Sequence, residues 1–162
     1  MTQQQKEFLR LCIIEQQKYD EISKTLGVEK STLSKWYEEL KEERLKIAAI
    51  RTLWKRKKFI MPFSEFYTKF MSKERKCFYC EITESEINEL IESGRLTTKR
   101  LATRGRKLEL DRKEPNLEYD NFENLVFACY WCNNAKTDTF TDEEFLEIGN
   151  KIKEIWKRRL EN

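Results

Sequence analysis

The chain has 162 residues, 32 Lys and Arg against 29 Asp and Glu, a formal charge of +3, five cysteines and no histidine. That length suits one medium domain or two small ones, and 38% charged residues fits a helix-rich protein in water. No apolar run approaches the ~18 residues that a membrane span needs, and the start, MTQQQKEFLRL, lacks the apolar core and cleavage site of a secretion signal, so the expected location is the cytoplasm.

The charge is unevenly placed. Residues 51–58 (RTLWKRKK) carry five basic side chains and no acid, and residues 95–107 (RLTTKRLATRGRK) carry six and no acid. Acids gather instead in 38–43 and 142–147. Local basic clusters attract polyanions even when the total is near neutral, which favours nucleic acid as a partner.

In chain order, residues 3–16 place Phe8, Leu11 and Cys12 on one helical face. Cys12 reads as an inert packed thiol. The stretch EISKTLGVEKSTLSKWYEEL then predicts a short helix, a turn at Gly27 and a second helix with an apolar stripe of Leu33, Trp36, Tyr37 and Leu40. This resembles a helix-turn-helix, a motif whose second helix enters the major groove; the resemblance points Lys30, Ser31, Thr32, Ser34 and Lys35 at DNA. Leu33, Leu40, Ile47 and Trp54 recur every seven residues. A helix continuing over 33–54 would offer them either to a homodimer seam or to its own chain. Pro62 breaks the pattern, and FSEFYTKFM predicts a short aromatic-faced helix with Phe63, Phe66, Tyr67 and Phe70 in the core. The domain boundary is expected near residue 60, giving units of 1–60 and 61–162.

Cys77 and Cys80 form one Cys-x-x-Cys, and Cys129 and Cys132 a second, with 48 residues between the two pairs. Four thiolates make a complete tetrahedral set for structural zinc, and spacing alone also fits an iron–sulfur cluster. Neither pair closes the site alone, so the metal would tie two distant segments together. Between them, Thr83 and Glu86 predict a capping box opening a helix that Gly94 ends. LELD and LVFA predict two antiparallel strands. A helix is expected from Asn133, and Thr141 with Glu144 opens an amphipathic helix over 141–160 with Phe145, Ile148, Ile152, Ile155 and Trp156 inward.

The strings LELDR, ENLVFACYWCNNAKTD and CFYC, spanning 77–140, resemble the zinc-bearing branch of the HNH (ββα-metal) endonuclease superfamily. The fold class expected is α+β and mostly helical, a helix-turn-helix unit followed by a zinc-stapled HNH-like domain. The resemblance implies a DNA-binding, metal-dependent endonuclease or nickase of the kind found in mobile elements or phage defence. Asp111 and Asn133 match the ligands of the catalytic divalent cation, Mg²⁺ or Mn²⁺, and Asn124 matches the residue that holds the hairpin loop. Arg100, Arg104, Arg106 and Lys136 are expected near phosphates. Arg112 stands where the family has its general-base His. An arginine stays protonated and is a poor base. Either another group such as Glu109, Glu114, Glu118 or a metal-bound hydroxide acts, or the site keeps DNA binding without hydrolysis, or the unit is a structural zinc module.

Overall fold

The computed structural model describes residues 1–99, 104–119 and 121–161. The chain is mostly helical with one two-stranded sheet, and it divides into two compact units, Met1–Ser72 and Lys73–Asn162.

The first unit holds α1 (Gln3–Leu9) running into a π-helical turn (Arg10–Ile14), then α2 (Tyr19–Leu26), α3 (Lys30–Glu39), α4 (Lys41–Arg56) and α5 (Phe63–Ser72). Phe8, Ile22 and Leu33 are wholly buried, with the Phe8 ring between Tyr19 and Trp36 at 6.1 and 5.9 Å. Gly27 ends α2 at φ 64°, the left-handed conformation that glycine adopts without a Cβ penalty. The chain then turns into α3, on which Lys30, Ser31, Ser34 and Lys35 are exposed and Thr32 is half-buried. Lys30 is ion-paired to Asp20, and Lys35 lies 3.7 Å from Glu39.

The helix expected to run through 33–54 is broken. Leu40 sits at φ −95°, ψ 29° between α3 and α4. The seven-residue repeat is consumed inside the chain: Leu33, Leu40 and Ile47 are buried, and the Trp54 indole donates to the Met61 carbonyl at 3.0 Å and meets Phe63 edge-on. Of the two alternatives for 33–54, the homodimer seam therefore has no support, because its apolar residues already face their own core. The basic cluster is also partly used internally, since the Arg51 guanidinium donates to the Ile13 carbonyl and stacks over Phe63 at 4.0 Å. Helix α5 buries Phe63, Phe66 and Phe70, with Phe59 against Phe66 at 4.4 Å. Aromatic packing thus carries the first unit past residue 60, to Ser72. Cys12 is half-buried and unbonded to other cysteines.

The second unit holds α6 (Glu84–Glu92), β1 (Glu109–Arg112), β2 (Leu125–Ala128), α7 (Tyr130–Lys136) and α8 (Asp142–Glu161). Thr83 and Glu86 cap α6 reciprocally: Glu86 N–H donates to Thr83 Oγ1 at 3.2 Å and Thr83 N–H to Glu86 Oε2 at 2.7 Å. The strands pair antiparallel, Glu109 with Ala128, Leu110 with Phe127, Asp111 with Val126 and Arg112 with Leu125. The first cysteine pair docks on this sheet through Phe78 N–H to the Phe127 carbonyl, 2.7 Å.

Helix α8 closes the unit with Phe145, Gly149 and Trp156 buried, whereas Ile148 and Ile155, expected inward, are 42% and 39% exposed. Gly149 explains the rotation. A Cβ there would stand 2.6 Å from the Tyr79 carbonyl oxygen and 2.8 Å from Tyr79 Cβ, so the helix rests its one bare backbone position on the Tyr79 backbone. Among the described residues no helix is long and apolar enough to cross a membrane.

Candidate active site

Cys77, Cys80, Cys129 and Cys132 are all buried and their Sγ atoms lie within 4.8 Å of one another, with no disulfide among them. Four ligands about 2.3 Å from a tetrahedral zinc have edges of about 3.8 Å, and Cys80 Sγ to Cys129 Sγ is 3.7 Å. Cys129 Sγ also accepts from Cys132 N–H at 3.5 Å, the half-loop that starts α7. Hydrogen bonds with Cys129, Cys132 and Cys80 push the Cys77 thiol down, against the opposing effect of burial. Four thiolates this close need a cation between them, and the donor set fits zinc.

Because Cys129 caps the helix, α7 begins at Tyr130, and Asn133 lies within it instead of opening it. Cys129, Cys132 and Lys136 then fall at spacings of three and four, on one inward face. Lys136, expected to approach a phosphate, is fully buried instead. Its Nζ donates to the Arg112 carbonyl at 2.9 Å and lies 3.9 Å from Asp111 Oδ2.

Asp111 is only 7% exposed, and its Oδ2 accepts from the Tyr79 hydroxyl at 2.7 Å. Burial raises this carboxyl above the usual range, against the lowering effects of the Tyr79 hydrogen bond and the Lys136 charge. Burial, followed by the Asp111 charge, pushes the Tyr79 phenol far up, so that it remains a donor. Tyr79 lies between the first two cysteines, Asp111 on β1 and Lys136 on α7, so three elements meet on one carboxylate. Sequence reasoning missed Tyr79. Its only signal was its place inside a Cys-x-x-Cys.

Two residues earlier on β1, Glu109 Oε2 accepts from Asn133 Nδ2 at 2.6 Å. Arg104 grips the same carboxylate with both arms, Nε to Oε1 at 2.7 Å and NH2 to Oε2 at 2.5 Å, while its guanidinium lies 4.8 Å from the Tyr130 ring centre. Asn133 is thus in contact with Glu109, and Asp111 with Tyr79 and Lys136. The β1–α7 seam carries two carboxylates and an amide, oxygen donors that suit a hard divalent cation by type. Among the described residues, the four cysteines form the only group of three or more His, Cys, Asp or Glu ligand atoms gathered closely enough for a metal.

Beyond the strand, Asn124 spans the loop. Its Oδ1 accepts from Glu114 N–H at 2.8 Å, its Nδ2 donates to the Glu114 carbonyl at 3.0 Å, and its own carbonyl accepts from Lys113 N–H at 2.8 Å. Arg112 turns into this loop, donating from NH1 to the Leu117 carbonyl at 3.1 Å and lying 4.8 Å from the Tyr119 ring centre. Arg106 is exposed, and Arg100 lies outside the described residues.

The sequence matches no protein-family model and no curated protein. Among solved structures, the chain is similar to the rare-cutting HNH restriction endonuclease PacI, with a TM-score of 0.50 and 24% identity over 69% of this chain and 77% of that one. The likeness is one of fold: a mostly helical α+β chain with a small two-stranded sheet and a four-cysteine cluster has an HNH endonuclease as a structural neighbour.

Proposed function

We propose that this chain binds double-stranded DNA and hydrolyses its phosphodiester bonds, as an endonuclease or nickase that uses a divalent cation. The observation that carries the reading is the β1–α7 seam, where Glu109 touches Asn133 and Lys136 faces Asp111 beside a four-cysteine cluster. The fold shared with an HNH restriction endonuclease supports the same reading.

In this account Cys77, Cys80, Cys129 and Cys132 hold structural zinc. Asp111 and Asn133 hold Mg²⁺ or Mn²⁺, which would offset negative charge on the phosphoryl group and leaving oxygen. Asn124 fixes the loop after β1, and Arg112 shapes that loop through Leu117 and Tyr119. Proton transfer from water falls to a carboxylate, because the chain has no histidine and a guanidinium stays protonated. Of Glu109, Glu114 and Glu118, Glu109 is the one bonded to Asn133. The exposed face of α3, with Lys30, Ser31, Thr32, Ser34 and Lys35, together with Arg100, Arg104 and Arg106, contacts the duplex.

The test is incubation of zinc-loaded protein with supercoiled plasmid and Mg²⁺ or Mn²⁺, beside Asn133→Ala and Asp111→Asn variants of verified fold. Metal-dependent nicking lost in both variants is the expected result. Retained binding with no cleavage under either metal would assign the chain to the second reading, an HNH-like DNA-binding protein without hydrolysis, which the arginine at position 112 favours.

A further inference from the structure

The contact of Arg104 with Glu109 resembles a ligand complex. A guanidinium binds a carboxylate and a phosphate with the same two-pronged geometry. Here the fork is complete, at 2.7 and 2.5 Å, and the same carboxylate takes a third hydrogen bond from Asn133 at 2.6 Å. The Arg104 side chain is 47% exposed and that of Glu109 is 24% exposed, so the pair lies where a polyanion can reach it. Arg106 and Lys107 stand beside it, both exposed. Asp111, the other acid on this face of β1, is bonded through Oδ2 to the Tyr79 hydroxyl and lies 3.9 Å from Lys136 Nζ.

We propose that Arg104, flanked by Asn133, is a seat for a backbone phosphate of nucleic acid, and that the Glu109 carboxylate fills this seat as a phosphate mimic in the free protein. The inference rests on the DNA-binding reading above and deepens it. A phosphodiester reaching Arg104 takes over the guanidinium fork, and Glu109 swings off it. Free protein is thereby self-competed: each binding event first breaks the Arg104–Glu109 pair. Since Glu109 shares Asn133 with that seat, exchange at Arg104 also uncovers the carboxylate that the hydrolytic reading uses.

The experiment is a double-mutant cycle on duplex-DNA binding, measured in EDTA so that cleavage and divalent binding do not enter. Glu109→Gln keeps an acceptor for Asn133 but weakens the hold on Arg104. The expected result is DNA binding tightened about fivefold, the size of a well-formed exposed ion pair. In an Arg104→Ala background Glu109→Gln should gain markedly less. Arg104→Ala alone should weaken binding and reduce its salt dependence by about one phosphate contact. Thermal melting of each variant verifies the fold. An equal gain from Glu109→Gln in both backgrounds would mark a general charge effect and overturn the mimic, as would no gain at all. If the unsubstituted protein binds no duplex, the DNA-binding reading itself fails, which is a distinguishable outcome.

Discussion

Gly149→Ala is the sharpest test of how the second unit is assembled. The added Cβ would stand 2.6 Å from the Tyr79 carbonyl oxygen, 2.8 Å from its Cβ and 2.9 Å from its carbonyl carbon. Two of those atoms are backbone, in a loop whose ends, Cys77 and Cys80, belong to the buried four-cysteine cluster, so the strain cannot be relieved by turning a side chain. The overlap is largely with backbone, so the overpacking cost falls in the upper part of its usual range, about 2–3 kcal/mol. Against it stands the helix propensity of alanine over glycine, about 1 kcal/mol. A net loss of about 1–2 kcal/mol follows, and for a unit of this size it lowers Tm by roughly 5–15 °C. Because α8 and Tyr79 must separate, the variant should also release zinc faster to a chromogenic chelator. Ile148→Ala, one residue away and 42% exposed, should change neither. Thermal unfolding followed by far-UV dichroism reads the first effect and chelator competition the second. A Gly149→Ala protein as stable as its parent, or more so, would refute the close approach of α8 to the cysteine loop.

Three further outcomes follow from the buried polar groups. Tyr79→Phe removes the hydroxyl that donates to Asp111 at 2.7 Å and should cost about 1–3 kcal/mol in denaturant unfolding; an unchanged midpoint would show that Asp111 is not held there. Lys136→Met strips the counter-ion from a buried carboxylate and should cost about 3–5 kcal/mol, with much of the loss recovered on adding Asp111→Asn. If Lys136 were instead a surface phosphate contact, the single substitution would leave stability unchanged and weaken DNA binding. Asn124→Ala cuts both side-chain hydrogen bonds to Glu114 and should speed proteolysis in the 113–119 loop without changing metal content; equal protease resistance would contradict that role.

Much of the second unit is readable from local chemistry. The alternation of LELD, the apolar run LVFA, the capping boxes at Thr83 and Thr141, and each cysteine pair act over a few residues, and each has its structural counterpart. What escapes sequence reading depends on direction and distance. Lys136 looks like a cation for solvent or phosphate until helix α7 is phased from Cys129, which turns position 136 inward with the cysteines. Asn133 seems to open that helix because a cysteine is not an obvious cap, yet Cys129 Sγ accepts the Cys132 N–H. Tyr79 and Asp111 are 32 residues apart, and no local pattern joins them. In the first unit the break at Leu40 carries neither glycine nor proline, and the Lys- and Glu-rich flanks continue a helical pattern through it. Only tertiary packing, which turns Leu40 and Ile47 into the same core, decides against a straight 33–54 helix.

Acid or chelation should act on the second unit before the first, because thiolates must be deprotonated to keep a metal and all four lie beyond residue 72. That four thiolates around one zinc hold the β1–α7 seam together is tested most directly by metal analysis of the purified chain, paired with unfolding before and after chelation. The expected result is one zinc per chain, lost in Cys129→Ser, with a drop in Tm and partial loss of helical signal on removal. Iron in place of zinc, or a metal-free chain that melts at the same temperature as the untreated protein, would contradict it.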